Sequence, residues 1–239
     1  MFQTLIYIFV ILLAALVEVY SMRTFDFKLI CEHGGGTVQI PDDGQMLLSY
    51  YSSSPLKPNT TCIVSVYNRL FTHSPTVIAY FNSFSTNYSP GCVQSRMDIF
   101  DGNGTNPQKA LTGPNGVCGS WANTATYYNS TNPYMTFSFR EDTGRSRFNI
   151  VLTSAHKGSC LSNEFNCGNG FCIRDSLSCN GYNNCGNNFD EIACAVVLAV
   201  GTIVAIVFAV IIGVICIPVF VVCFVCQRRR PRRMAYRNI

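Results

Sequence analysis

The strongest constraint on this chain is an uncharged apolar run from Ala195 to Cys226, followed at once by QRRRPRR. A helix needs about 20 apolar residues to cross a bilayer. The run therefore predicts a transmembrane α-helix over 195–226, with length to spare for tilt. Asp190 and Glu191 precede it and the arginines follow it, and arginine beside a span marks the cytoplasmic side. The expected arrangement is a single-pass type I protein of the plasma membrane, N-terminus extracellular, with 227–239 as a cytoplasmic tail. A shorter apolar run, Leu5 to Val17, has the length of a secretory h-region. Residues 1–21 thus read as a signal peptide cleaved near Ser21, with an uncleaved anchor as the alternative because no basic residue precedes the run.

Charge follows the same division. The net charge is +4, but Arg228, Arg229, Arg230, Arg232, Arg233 and Arg237 all lie in the tail, and without them the chain is net acidic. The basic balance describes the tail alone, which excludes a general nucleic-acid binder. Charged residues make up 13% and the mean hydropathy is +0.21, a balance that excludes disorder as the main state.

Topology sorts the 13 cysteines. Cys216, Cys223 and Cys226 fall in or just below the membrane; the rest face an oxidising compartment, where disulfides persist. Cys31, Cys62, Cys92 and Cys118 are widely spaced, whereas Cys160, Cys167, Cys172, Cys179, Cys185 and Cys194 are crowded together. The change in density predicts a domain boundary, with 155–159 as linker.

The first region reads as mostly β. Thr76–Phe81, Arg96–Phe100, Met135–Phe139 and Phe148–Leu152 are period-two or continuously apolar. Met135, Phe137 and Phe139 share one face. Asp101-Gly102-Asn103-Gly104, Pro114-Asn115-Gly116 and Thr143-Gly144 supply turns. An antiparallel sandwich follows, large enough for its own core.

These residues resemble a CUB domain over 31–154. The features that carry the likeness are Cys31 followed by Gly34-Gly35-Gly36, the Tyr/Ser/Pro-rich approach to Cys62, Met97-Asp98-Ile99-Phe100-Asp101-Gly102 after Cys92, and Cys118-Gly119. The resemblance implies a β-sandwich paired Cys31–Cys62 and Cys92–Cys118. An immunoglobulin-like sandwich is disfavoured by that local pairing of consecutive cysteines. The positions matching the family's calcium ligands are Asn87, Ser95 and Asp142, a single carboxylate. Hard cations take anionic oxygen, so no calcium is expected in this domain.

The second region, 160–194, resembles a low-density lipoprotein (LDL) receptor class A repeat throughout. Cys160, Phe165, Cys167, Gly170, Cys172 and Ile173 open it, Cys179-Asn180-Gly181 and Asn184-Cys185 continue it, and Asp190-Glu191 precede Cys194. Phe165 and Ile173 form its small core; a unit of this size relies on disulfides and usually on metal. Six cysteines allow 15 pairings, and the resemblance implies Cys160–Cys172, Cys167–Cys185 and Cys179–Cys194. It also maps the family's calcium carboxylates to Asn180, Asn184, Asp190 and Glu191, and its ligating carbonyls to Leu177 and Tyr182. Two of those four positions carry no charge here, so Ca²⁺ binding is expected to be weak or absent. The family grips a ligand lysine with this acidic cage, flanked by an aromatic that is Leu177 here; the depleted cage leaves a spacer role as the equal alternative.

Four sequons, at Asn59, Asn87, Asn103 and Asn129, fall near turn residues of the first domain and mark it as a glycoprotein. Gly201, Ala205, Ala209 and Gly213 share one helical face, a spacing that permits close helix–helix approach with a second copy or a partner's span. Tyr236 and Ile239 fit the Tyr-x-x-hydrophobic pattern read by clathrin adaptors as an extended peptide. His33, His73 and His156 are dispersed, and no HExxH, GxSxG or phosphate loop occurs, so an enzyme is not expected.

Membrane proteins that join CUB domains to LDL-receptor class A repeats include the neuropilin-and-tolloid-like auxiliary subunits. The resemblance implies an accessory protein or co-receptor whose CUB domain binds another membrane protein, a receptor or ligand-gated channel. An endocytic cargo receptor using the repeat and Tyr236, or an adhesion glycoprotein, are the alternatives.

Overall fold

The computed structural model describes residues 22–51, 61–122, 126–142 and 144–192, with Cys194 and Val207. The leader 1–21, Asn59, the helix face of Gly201, Ala205, Ala209 and Gly213, and the tail with Tyr236 and Ile239 lie outside the described residues. So does the span 195–226 apart from Val207. Among the described residues no helix is long and apolar enough to cross a membrane. The chain forms two compact units, Met1–Ile192 and Ala193–Ile239, and the described residues fall almost entirely in the first.

Strand formation follows the alternation of side chains. In β3 (Gln45–Tyr51), Met46, Leu48 and Tyr50 point inward; in β4 (Thr61–Tyr67), Cys62, Val64 and Val66 do so. β5 (Pro75–Ser85), β6 (Ser95–Asp101), β9 (Tyr134–Glu141) and β10 (Arg147–Lys157) contain the four segments read from sequence and extend each of them. Met135, Phe137 and Phe139 are fully buried on the expected face.

Two sheets enclose the core. One has the order β2 (Gly36–Gln39), β4, β9, β6. In the other, β1 (Thr24–Asp26) runs beside β3, β3 beside β10, and β10 beside β5, which also carries β7 (Ser120–Ala122) and β8 (Tyr127–Asn129). Phe27, Tyr50, Phe139 and Phe148 pack mostly edge to face between the sheets, with ring centroids 5.0 to 6.2 Å apart. Such geometry places positive ring edges against negative ring faces.

The first domain begins earlier than Cys31. A short helix, α1 (Phe27–Glu32), is capped by Asp26, whose carboxylate accepts from the N–H groups of Lys28 and Leu29. Phe27 is completely buried, and Cys31 is bonded to Cys62 on β4. Six residues are too few to show a helical period in the sequence, which is why this element escaped it. Cys92 is bonded to Cys118.

The stretch read as a linker is largely strand. β10 continues through Lys157, and Ala155 is fully buried. A linker needs solvated backbone, whereas here the N–H and C=O groups of 155–157 are used in pairing with β5 and, beyond the crossing point, with β12 (Phe171–Arg174). β12 in turn pairs with β11 (Glu164–Asn166).

One buried polar contact ties the two sheets together. Tyr50 on β3 donates its hydroxyl to Glu141 Oε2 on β9 at 2.5 Å, and Oε1 of the same carboxylate accepts from the N–H groups of Arg145 and Ser146. Glu141 is fully buried. Removing a donor from a buried charged acceptor costs about 1–3 kcal/mol. Tyr50→Phe is expected to lower unfolding stability by that amount in urea denaturation, with the fold retained.

Candidate functional site

Three of the class A positions singled out for metal and ligand binding, Asn180, Asn184 and Leu177, meet the first domain at the junction of the two. β10 offers one edge to two partners in succession: β3 pairs with it over Arg147–Thr153, and β12 at His156 and Lys157. Where β3 begins, at Gln45, the second domain takes over that edge.

A shared hydrophobic core lies beneath this crossing. Ile78 and Ala155 of the first domain pack with Cys167, Phe171, Ile173, Leu177 and Cys185 of the second, and Tyr127 and Phe165 border the cluster. Ile173 is fully buried, as its core role requires, but Phe165 is only half-buried. Close approach is enforced at Gly186 (φ +81°), where a Cβ would lie 2.5 Å from Tyr127 Cγ. Cys160 is bonded to Cys172 and Cys167 to Cys185, and Cys179 and Cys194 are each disulfide-bonded.

The four positions mapped as calcium carboxylates behave differently from one another. Glu191 engages both oxygens, accepting from the N–H groups of Asn180 and Gly181 at 2.9 and 3.0 Å. Asn180 Oδ1 accepts from the N–H of Tyr182 at 2.9 Å. Asp190 is fully buried, and Oδ2 accepts from the N–H of Asn184 at 2.6 Å. Asn184 is also fully buried, and its Oδ1 has no hydrogen-bond partner among the described residues. The side-chain NH₂ groups of Asn180 and Asn184 both point at Gln45 Oε1, each at 3.0 Å, and Asn184 also donates to Thr153 Oγ1 at 3.0 Å. Two carboxylates in place of four do not fit a tight calcium centre, whose affinity follows ligand charge. Leu177 is buried in the shared core, and Tyr182 is half-buried.

Burial pushes the Asp190 carboxyl up from 3.8 to about 6, and the neighbouring charge of Glu191 adds to this against the N–H donors of Asn184 and Cys185. The folded state thus favours the protonated acid.

A second cluster sits nearby. His156 Nε2 lies 2.9 Å from Glu164 Oε2, which also accepts from the N–H of Leu161. Burial works against ionisation of Glu164, but these hydrogen bonds hold its carboxyl below the usual range. The pair, with Phe71, His73, Arg174 and Asp175, lines a cleft of about 680 Å³. Cys172 Sγ lies within 4.8 Å of the pair's ligand atoms, but it is bonded to Cys160 and offers no thiolate to a metal.

In the first domain, Ser95 is buried at the start of β6 and pairs in register with Glu141, next to exposed Asp142. Asn87 is half-buried in the loop after β5. Among the sequon residues, Asn103 is exposed, with its Oδ1 accepting from Ser65, and Asn129 is half-buried on β8.

The family model described as low-density lipoprotein receptor domain class A matches residues 158–194. Residues 158–194 are an LDL-receptor class A domain. Neuropilin and tolloid-like protein 2 of Mus musculus and of Homo sapiens are each 43% identical over 49 residues, 20% of this chain. The match spans only 9% of those relatives' length. Solved structures with some likeness include the full extracellular region of zebrafish Gpr126/Adgrg6, at 20% identity over 54% of this chain and 15% of that one, TM-score 0.37. Another is the MASP-1 CUB2 domain bound to Ca²⁺, at 17% identity over 50% and 97%, TM-score 0.35. The family match and the neuropilin and tolloid-like relatives support the resemblance to proteins that join a CUB domain to an LDL-receptor class A domain.

Gln45, Thr153, Ile78 and Tyr127 were not legible as site residues. The signal available was indirect: amides at two carboxylate positions bring donors that need an acceptor. That acceptor lies 135 and 139 residues away in sequence.

Two outcomes are expected. Isothermal titration should show Asn180→Asp/Asn184→Asp binding Ca²⁺ at least tenfold more tightly than the parent chain, since affinity follows ligand charge. For Asp190, a folded value raised to about 6 from 3.8 contributes stability fully below the unfolded value and loses it as pH rises through the folded one. With chelator present, stability due to this group should fall between those two pH values, and Asp190→Asn should remove that slope in thermal melts.

Proposed function

We propose that this chain is a non-enzymatic recognition protein of the cell surface, acting as an accessory subunit or co-receptor for another membrane protein. The observation that carries the reading is the class A match at 158–194 together with the likeness to neuropilin and tolloid-like protein 2. Class A domains are extracellular binding modules, and a disulfide-dense domain belongs to an oxidising compartment. In this reading residues 195–226 cross the membrane, and Gly201, Ala205, Ala209 and Gly213 pack beside the partner's span. The CUB-like sandwich carries the glycans and meets the partner's extracellular domain.

A second reading, an endocytic cargo receptor, is favoured by Tyr236 and Ile239, which fit an adaptor pattern. It needs a free lysine-gripping cage, and the cage residues here are engaged by the first domain. An adhesion glycoprotein is the plainest alternative.

Proximity labelling from the extracellular side of intact cells separates the three. The accessory reading expects a membrane protein of the same cell as the dominant labelled partner, with uptake unchanged by Tyr236→Ala. Labelling dominated by soluble proteins, with uptake lost in Tyr236→Ala, would favour the cargo receptor. Labelling of an opposing cell's protein would favour adhesion.

A further inference from the structure

We infer that the ligand-gripping face of the class A domain is already occupied, by Gln45 and Thr153 of the same chain, so that two asparagines work as an interdomain latch. Gln45 is 5% exposed, while Asn184 and Thr153 are fully buried. Its Oε1 receives two N–H donors at 3.0 Å, one from Asn180 and one from Asn184, matching the two lone pairs of a carbonyl oxygen. The second donor of Asn184 reaches Thr153 Oγ1. Thr153 and Gln45 are register partners on β10 and β3, so the latch closes on a rigid ladder.

The chemistry is directional. A carboxylate accepts hydrogen bonds but does not donate them. Aspartate at 180 and 184 would set acceptors against the Gln45 acceptor; only amides let this face close on this neighbour. Burial around the latch points the same way. Leu177 lies in the shared core with Ile78 and Ala155. Gly44, beside Gln45, is so close to Leu70, Arg174 and Leu177 that a Cβ there would touch all three at 3.3 to 3.5 Å. No outside side chain reaches Gln45 Oε1 without parting the domains. The latch concerns the chain's own two domains and stands whatever the partner is.

Hydrogen–deuterium exchange on the full-length chain in detergent, with chelator present, tests this. Gln45→Lys replaces the acceptor by donors facing donors and should raise exchange across 167–186 at least tenfold, while 46–50 and 135–139 keep their protection. Gln45→Glu retains the acceptor and should leave exchange within twofold of the parent. Adding Asn180→Asp/Asn184→Asp to Gln45→Lys restores donor–acceptor matching and should return protection to 167–186. Parent-like exchange in Gln45→Lys would overturn the latch. So would failure of the added aspartates to restore protection, including the case in which Gln45→Lys loosens the whole chain.

Discussion

The divided edge of β10 is the constraint on which the rest of this architecture depends. One side of the strand is paired throughout with β5, and the other is given first to β3 and then to β12. Backbone ladders fix strand spacing and register, so the second domain is held in the frame of the first. Every later feature of the junction, from the burial of Leu177 to the reach of Asn184, follows from that shared edge.

A class A domain alone has little apolar material. Its own buried side chains are few, and disulfides do much of the work a core does elsewhere. In this chain the shortage is met by sharing: Ile78 and Ala155 complete the cluster around Phe171, Ile173 and Leu177. Asparagine side chains do much of the remaining stitching. Asn169 donates to the Cys185 carbonyl and Asn187 to the Cys167 carbonyl. Disulfides, a neighbour's core and amide hydrogen bonds thus hold this domain together.

Asn180 and Asn184 also change the charge of the face they lie on. An acidic cage attracts cations and basic side chains; the amides of Asn180 and Asn184 bring no charge and give their N–H donors to Gln45. The hydrogen bonds to Gln45 and Thr153 close this face, and the exposed large apolar residues lie elsewhere on the two domains. Exposed Tyr51, Tyr88 and Val93 belong to the sandwich, whereas Leu161, Phe189 and Ile192 are exposed on the class A domain. Scattered single apolar residues need no partner to explain them, so these define where contact is open without naming what makes it.

Local patterns carried most of the fold. Alternation in Met135–Phe139 determined a strand and its inward face, because the pleat has a period of two. Cysteine spacing determined a small stapled domain, because a unit of so few residues relies on disulfides; the expectation carried by the uncharged run lies outside the described residues. The short helix holding Phe27 and the extent of β10 through Lys157 were not legible, since neither is long or periodic enough to declare itself. The identity of Asn180 and Asn184 announced the loss of charge, but not its use. That use rests on Thr153, 31 residues from Asn184, and on Gln45, which lies 3.0 Å from both amides although 135 and 139 residues away in sequence. Hydrogen bonds between residues so distant in sequence leave no periodic trace; only the folded sheet decides them.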